Sequence, residues 1–249
     1  MIWHFIDSSE NTGKYNMDFD IELAKNYSPN EAYFRIYRWN PYCISLGANQ
    51  NFDDIDLKKT VADGIDVIKR PTGGRAILHA EELTYSVVLP YNFELSPREI
   101  YFRISNALMR GLEIYNPILA KSQLEDYQPN FPKLLEEPSG VLCFASTARN
   151  EVKFNGKKLI GSAQRKLNNV ILQHGSILCE PFHKKLVDYI NSDEETKNAL
   201  SLELNNKTTE LGTILNEEID YQKLKTCLMV GFELEWQIKF EPAAERILT

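Results

Sequence analysis

At 249 residues, 43% of them hydrophobic and 25% charged, the chain has the balance of an ordinary globular protein able to bury a substantial core. Its formal net charge of −7 argues against a nucleic-acid binder, which needs a concentrated positive surface, and no apolar run approaches the roughly 20 residues that cross a bilayer. The start, Met1-Ile2-Trp3-His4, lacks a basic stretch followed by a long apolar one, so no signal peptide is expected and the expected location is the cytoplasm.

Residues 1–7 and 31–39 read as strands, the second by its period-2 alternation. Between them Phe19, Leu23 and Tyr27 recur at helical spacing and predict an amphipathic helix. A short strand is expected at Ile65–Ile68 and a buried one at 83–90. Ser96-Pro97-Arg98-Glu99 has the form of a capped helix start, with Ile100, Ile104, Leu108 and Leu112 as the buried face behind it. Residues 151–154 and 158–161 predict a hairpin turned at Asn155-Gly156, and 169–178 a further strand. From 184 the pattern is mostly helical (184–191, 193–201, 220–231), closing with an apolar strand near 234–240. Together these predict an α+β fold, a mixed β-sheet flanked by helices. No linker divides it, so a single domain over 1–249 is expected, with the part from about 184 as a candidate small helical subdomain.

Four sets of residues are candidates for chemistry. Arg70-Pro71-Thr72-Gly73-Gly74-Arg75, running on to His79, follows a strand. Its glycines let a ligand approach main-chain amides, and its arginines can meet an anion; a plain strand-to-strand turn is the alternative. The spacing matches neither the dinucleotide fingerprint nor the P-loop. Lys158 opens a strand that continues through Gly161-Ser162-Ala163, small residues that leave room for a chain-like ligand; a solvated surface lysine is the alternative. His174-Gly175 sits in a strand-like context, where a histidine is either a catalyst or a satisfied structural group. Of the four cysteines, Cys43, Cys179 and Cys227 lie in apolar surroundings, whereas Cys143 lies in a turn-rich segment, the setting in which catalytic groups concentrate. No Cys/His spacing suggests zinc, and no metal site is expected. A cysteine becomes a strong nucleophile when a nearby cation favours its thiolate, and Lys158 is the candidate cation.

Taken in order, several segments resemble the lipoate–protein ligase and octanoyltransferase family, which is related to the biotin ligases, and within it the cysteine-dependent LipM-type enzymes. They are Phe5-Ile6-Asp7-Ser8, Ser45-Leu46-Gly47, Arg70 to His79 through Ser86, Cys143-Phe144, Gly156-Lys157-Lys158 to Gln164, and Val170 to Ile177. The resemblance implies a biotin/lipoate ligase-like sheet with a class II aminoacyl-tRNA synthetase-like core. It implies that Cys143 takes octanoyl from acyl carrier protein as a thioester and passes it to a lysine of a lipoyl domain, such as the glycine cleavage H protein. In that reading Lys158 sits by the acyl carbonyl, no cofactor is required, and Arg70, Arg75 and Arg165 meet the acidic carrier. Arg70, Gly73, Gly74, Arg75, His79, Gly161, Ser162, Ala163, His174 and Gly175 are then the substrate-binding candidates. Neither nucleic acid nor a membrane is an expected partner, and a monomer is expected. After Cys143-Phe144 the chain departs from the LipM-type pattern: Arg149-Asn150-Glu151 is similar to the Arg-Asn-Asp of ATP-dependent lipoate ligases. The alternatives are therefore a ligase using ATP and magnesium, or an amidotransferase moving octanoyl between lipoyl domains.

Overall fold

Parallel strands β1 (Ile2–Asn11) and β2 (Glu31–Trp39) are joined through helix α1 (Gly13–Lys25), in a computed structural model that describes residues 1–91, 94–127 and 149–242. The Thr12 hydroxyl caps α1 by accepting from the Tyr15 amide. The helix stops at Lys25, so Tyr27 lies beyond it, packed with Leu23 and Tyr33 rather than on the helix face.

Antiparallel strands continue the sheet: β6 (Glu82–Pro90), β7 (Gln123–Leu124), β8 (Val152–Phe154), β9 (Lys157–Leu167) and β10 (Val170–Leu178). The order is β11-β1-β2-β6-β10-β9-β8-β7, where β11 (Phe240–Pro242) lies parallel to β1. Asn155 and Gly156 turn the β8–β9 hairpin with φ of 48° and 78°, the left-handed geometry that an Asn-Gly pair accepts. Strands β3 (Cys43–Leu46), β4 (Asp66–Lys69) and β5 (Ile77–His79) form a second sheet in the order β4-β3-β5, and the short helix α2 (Leu57–Ala62) precedes β4.

Helix α3 (Pro97–Tyr115) starts at Ser96 with both bonds of a capping box formed, as its sequence predicts, and buries Ile100, Ile104, Leu108 and Leu112. The C-terminal part comprises a 3-10 helix (Pro181–Tyr189), α4 (Glu194–Lys207), α5 (Leu211–Leu215) and α6 (Tyr221–Trp236). Two boundaries differ from the sequence pattern. Residues 184–191 fall largely within the 3-10 helix, and α6 runs to Trp236, where Gln237 turns left-handed at φ 53°; the final strand therefore begins at Phe240 instead of 234. Helices α3 and α6 cross at glycines: a Cβ on Gly231 would lie 2.4 Å from the Gly111 nitrogen, so the backbones touch where no side chain fits.

Successive residues of the central strands face opposite sides. Phe34, Ile36, Leu83, Tyr85, Ile171 and Ile177 join the α3–α6 core. The other side of the sheet faces α1 and the second sheet, and it is buried too. The alternation in β2 therefore does not mark a wet face: seven of its nine residues are buried.

Candidate active site

The polar side of the sheet forms a grid. In one row across four strands Arg35, Ser86, His174 and Ala163 are register partners; in the next row the partners are Tyr37, Thr84, Ser176 and Gly161. Opposite residues of antiparallel strands share a face, so these polar groups converge and end, on β9, at two small residues. Above the grid lies a narrow cleft. Met17 from α1 closes one side. Ser45, Arg70, Ile77 and His79, from or beside the second sheet, close the top.

Two buried carboxylates organise the grid. Asp20 accepts from Arg35 Nη1 at 2.8 Å, Ser86 Oγ at 2.7 Å and Tyr37 OH at 3.2 Å, while His174 Nδ1 stands 3.8 Å from it. Burial pushes the Asp20 carboxyl up, but Arg35, His174 and Ser86 outweigh it and hold it below the ordinary carboxylate range. Arg35 also donates to Ser8 Oγ and to Asn16, and its guanidinium lies over the Phe19 and Tyr37 rings. Burial lowers the His174 pKa despite the opposing pull of Asp20. Its Nε2 is 2.6 Å from Thr72 Oγ1, which ties the glycine turn to the grid.

Glu82 Oε1 is 2.7 Å from His79 Nδ1 and accepts from Ser176 Oγ at 2.7 Å and Thr84 Oγ1 at 2.6 Å. Here too burial raises the carboxyl pKa and the three partners more than reverse it. The His79 ring is stacked under Trp39 at 4.1 Å, with Nε2 2.7 Å from Ser45 Oγ. Trp39 in turn donates to Thr84 Oγ1.

On the β9 side, Lys158 Nζ pairs with Glu151 Oε2 at 3.0 Å, with both side chains no more than 3% exposed. Glu151 Oε1 accepts from the amide of Ser162, which lines the cleft. Ser162 Oγ is 2.7 Å from Tyr85 OH, which also accepts from Gln173 Nε2; burial pushes the Tyr85 phenol up to about 12. Gly175 must be glycine, because a Cβ there would lie 2.4 Å from the Gly161 carbonyl and 2.8 Å from the Tyr85 ring.

Arg70, His79, Gly161, Ser162, Ala163, His174 and Gly175 therefore meet around one cleft. Gly73 and Gly74 are exposed and not part of its lining; Gly74, at φ 91°, packs its carbonyl where a Cβ of Gly47 would stand. Arg70 and Arg75 are each 4% exposed, which corrects the expectation that they face an acidic carrier. The reason is that Arg70 is spent on the carbonyls of Ser45, Gly73 and Arg75, holding the turn closed. Arg165 is exposed and donates to the Pro71 carbonyl. Cys143 lies outside the described residues, while Cys43, Cys179 and Cys227 are buried free thiols. Among the described residues no group of three or more His, Cys, Asp and Glu side chains is placed to hold a metal ion.

Sequence reading missed Asp20 and Arg35, and it named Ser45, Glu82, Glu151 and the grid hydroxyls only inside longer segments, without a role. A signal was present: Thr84-Tyr85-Ser86 and His174-Gly175-Ser176 both place polar residues two apart inside apolar strands, which aims them at one face.

Fold and site together define a member of the Lipoyl protein ligase A/B catalytic domain family, whose pattern matches residues 12–233; the chain belongs to that family. Its relatives include Octanoyltransferase LipM of Macrococcus caseolyticus, 33% identical over 96% of this chain and 89% of its own length. The enzyme of the same name from Staphylococcus aureus is 31% identical over the same shares. With such relatives, the chain is an acyltransferase. The fold also matches a bipartite lipoate protein ligase from Thermoplasma acidophilum, with a TM-score of 0.76 and 17% identity, covering 100% of this chain and 90% of that one.

Proposed function

We propose that this protein is an octanoyltransferase of lipoate assembly, moving octanoyl from acyl carrier protein to a lysine of a lipoyl domain, such as glycine cleavage H protein, through a thioester on Cys143. The relatives named octanoyltransferase support the acyl group. The observation that carries the reading is a buried ammonium, Lys158, linked through Glu151 to the wall of a cleft lined by Gly161 and Ala163. In the first step the Cys143 thiol gives up its proton, its thiolate attacks the carrier thioester carbonyl, the C–S bond to the carrier breaks, and the carrier leaves as a thiolate that takes up the proton Cys143 gave up. In the second step the acceptor lysine's neutral amine attacks the Cys143 thioester, forms the amide, loses a proton and releases the thiol. Each step replaces one acyl bond by another of equal or lower energy, so neither ATP nor another cofactor enters. Lys158 favours the thiolate and then steadies the oxyanion. Each methylene buried in the cleft adds about 0.8 kcal/mol of binding.

The test is intact mass spectrometry after mixing with octanoyl-carrier protein without ATP. An adduct of octanoyl mass on Cys143, absent in Cys143→Ala, is the expected result. Activity retained in Cys143→Ala and strictly dependent on ATP and magnesium would replace this reading with the ligase alternative. Octanoyl-H protein serving as donor in place of the carrier would replace it with amidotransfer.

A further inference from the structure

Glu151 divides its two carboxylate oxygens between a charge and a wall. Oε2 pairs with Lys158 Nζ at 3.0 Å, and Oε1 takes the Ser162 amide at 3.0 Å. Both ends of this bridge are fixed independently. The Lys158 carbonyl accepts from the Thr209 amide at 3.0 Å, and the Ser162 carbonyl accepts from Tyr101 OH at 3.2 Å. Ser162 Oγ is held against Tyr85 OH, and Tyr85 against Gln173. The carboxylate is thus the strut that sets where a flexible four-carbon ammonium points relative to the cleft. A buried charge is costly unless it is paired, and a lysine stem has many rotamers to lose. The Oε1 bond commits the Ser162 amide, so it is not a donor for a reacting oxygen while Glu151 is in place.

We propose that Glu151 is the positioning residue for Lys158 in acyl transfer: it fixes where the Lys158 side chain stands relative to the Ser162 wall. This rests on the reading above, in which Lys158 serves the chemistry on Cys143. A buried ion pair alone has a simpler account, a structural tie, and the two accounts differ in what they predict for charge as opposed to shape. Glu151→Gln preserves shape and the Ser162 bond but removes the charge. Glu151→Asp shortens the strut but keeps the charge.

Glu151→Gln is expected to slow octanoylation of Cys143 roughly 10- to 100-fold, the size usual for a partner that orients a reactive group. The donor concentration for half-maximal rate should stay unchanged. Glu151→Asp should recover part of the loss. Because removing one partner of a buried pair can unfold the chain, Glu151→Gln/Lys158→Met supplies a second variant, expected to fold with the parent's circular dichroism and to be no more active than Lys158→Met alone. A readout independent of the reaction is the ¹⁵N resonance of the Lys158 ammonium, assigned with Lys158→Arg. It should be visible in the parent and in Glu151→Asp, where ion pairing slows proton exchange, and lost in Glu151→Gln. Full activity in Glu151→Gln, equal losses in the Gln and Asp variants, or an ammonium signal that persists in Glu151→Gln would overturn the proposal. If the parent itself forms no Cys143 adduct while the ammonium signal behaves as expected, the acyl-transfer reading fails and the pairing stands.

Discussion

The two faces of the eight-stranded sheet solve burial in opposite ways with the same strands. Phe34 and Arg35 are neighbours on β2, both fully buried, and point to opposite sides. Phe34 stacks on Phe232 of α6 at 3.8 Å, in a layer of apolar residues closed by the glycine crossing of α3 and α6. Arg35 enters a set of polar partners that must all be present for any one to be stable. The apolar face holds by contact area, a property that degrades smoothly when atoms are removed. The polar face holds by mutual satisfaction, so the loss of one member strands the others. That is why the cleft lies on the second face: its groups are fixed, dry and convergent before any ligand arrives.

The largest effects should come from that neighbouring pair. Phe34→Ala is expected to cost about 3–5 kcal/mol by the cavity it leaves. Arg35→Met should cost a similar 3–5 kcal/mol, because Asp20 is left buried without its cation. The faces part company in the rescue. Asp20→Asn added to Arg35→Met should restore much of the stability in urea titrations, whereas no second single change restores Phe34→Ala. Failure of that double variant to exceed Arg35→Met would mean the polar face behaves like the apolar one.

Next in size is Gly231→Ala. The added methyl meets the Gly111 nitrogen at 2.4 Å and the Ala107 carbonyl at 2.5 Å, both backbone. Overpacking of this kind costs about 1–3 kcal/mol, more than the roughly 1 kcal/mol that alanine gains over glycine in a helix. A lower unfolding midpoint with Cys143 acylation intact would place the damage on the apolar face alone.

How much of this was legible follows from the range of each interaction. The capping box at Ser96–Glu99 and the turn at Asn155-Gly156 are local, and the chain spells both out within four residues. The small residues of β9 and His174 were also found, since strand type and residue type mark them. Arg35 and Asp20 were not. Their partnership spans fifteen residues and depends on α1 folding over β2, so an acidic helix residue and a strand arginine each look solvated on their own. Arg70 misled for the same reason: a basic residue near a glycine turn suggests a surface for an anion, and here the turn itself consumes its donors; Arg75, near the same turn, is buried as well.

Acid should separate the faces without mutation. The folded state holds Asp20 and Glu82 below their ordinary values, so their contribution to stability is present above about pH 4–5 and is lost as pH falls through their folded values. His174 acts earlier. Its folded pKa is lowered, so from about pH 6.5 downward the unfolded chain binds the proton more readily, and stability falls as pH drops. Thermal midpoints of the parent should therefore decline between pH 7 and 5.5, and those of His174→Asn should decline less. Parallel curves for the two would show that His174 is not the group responsible.

The smallest effect calibrates the rest. Gly156 has φ 78°, and a Cβ there would meet nothing within 4 Å. Gly156→Ala thus carries a backbone cost of about 1 kcal/mol without touching either face. Its hairpin joins the strand after Glu151 to the strand of Lys158, but Glu151 and Lys158 are each tied to Ser162 or Thr209 outside the turn. Acylation of Cys143 should therefore be unchanged while the urea midpoint drops slightly. A loss of acylation larger than the loss of stability would mean that the turn, rather than the polar face, sets the position of the Lys158 ammonium.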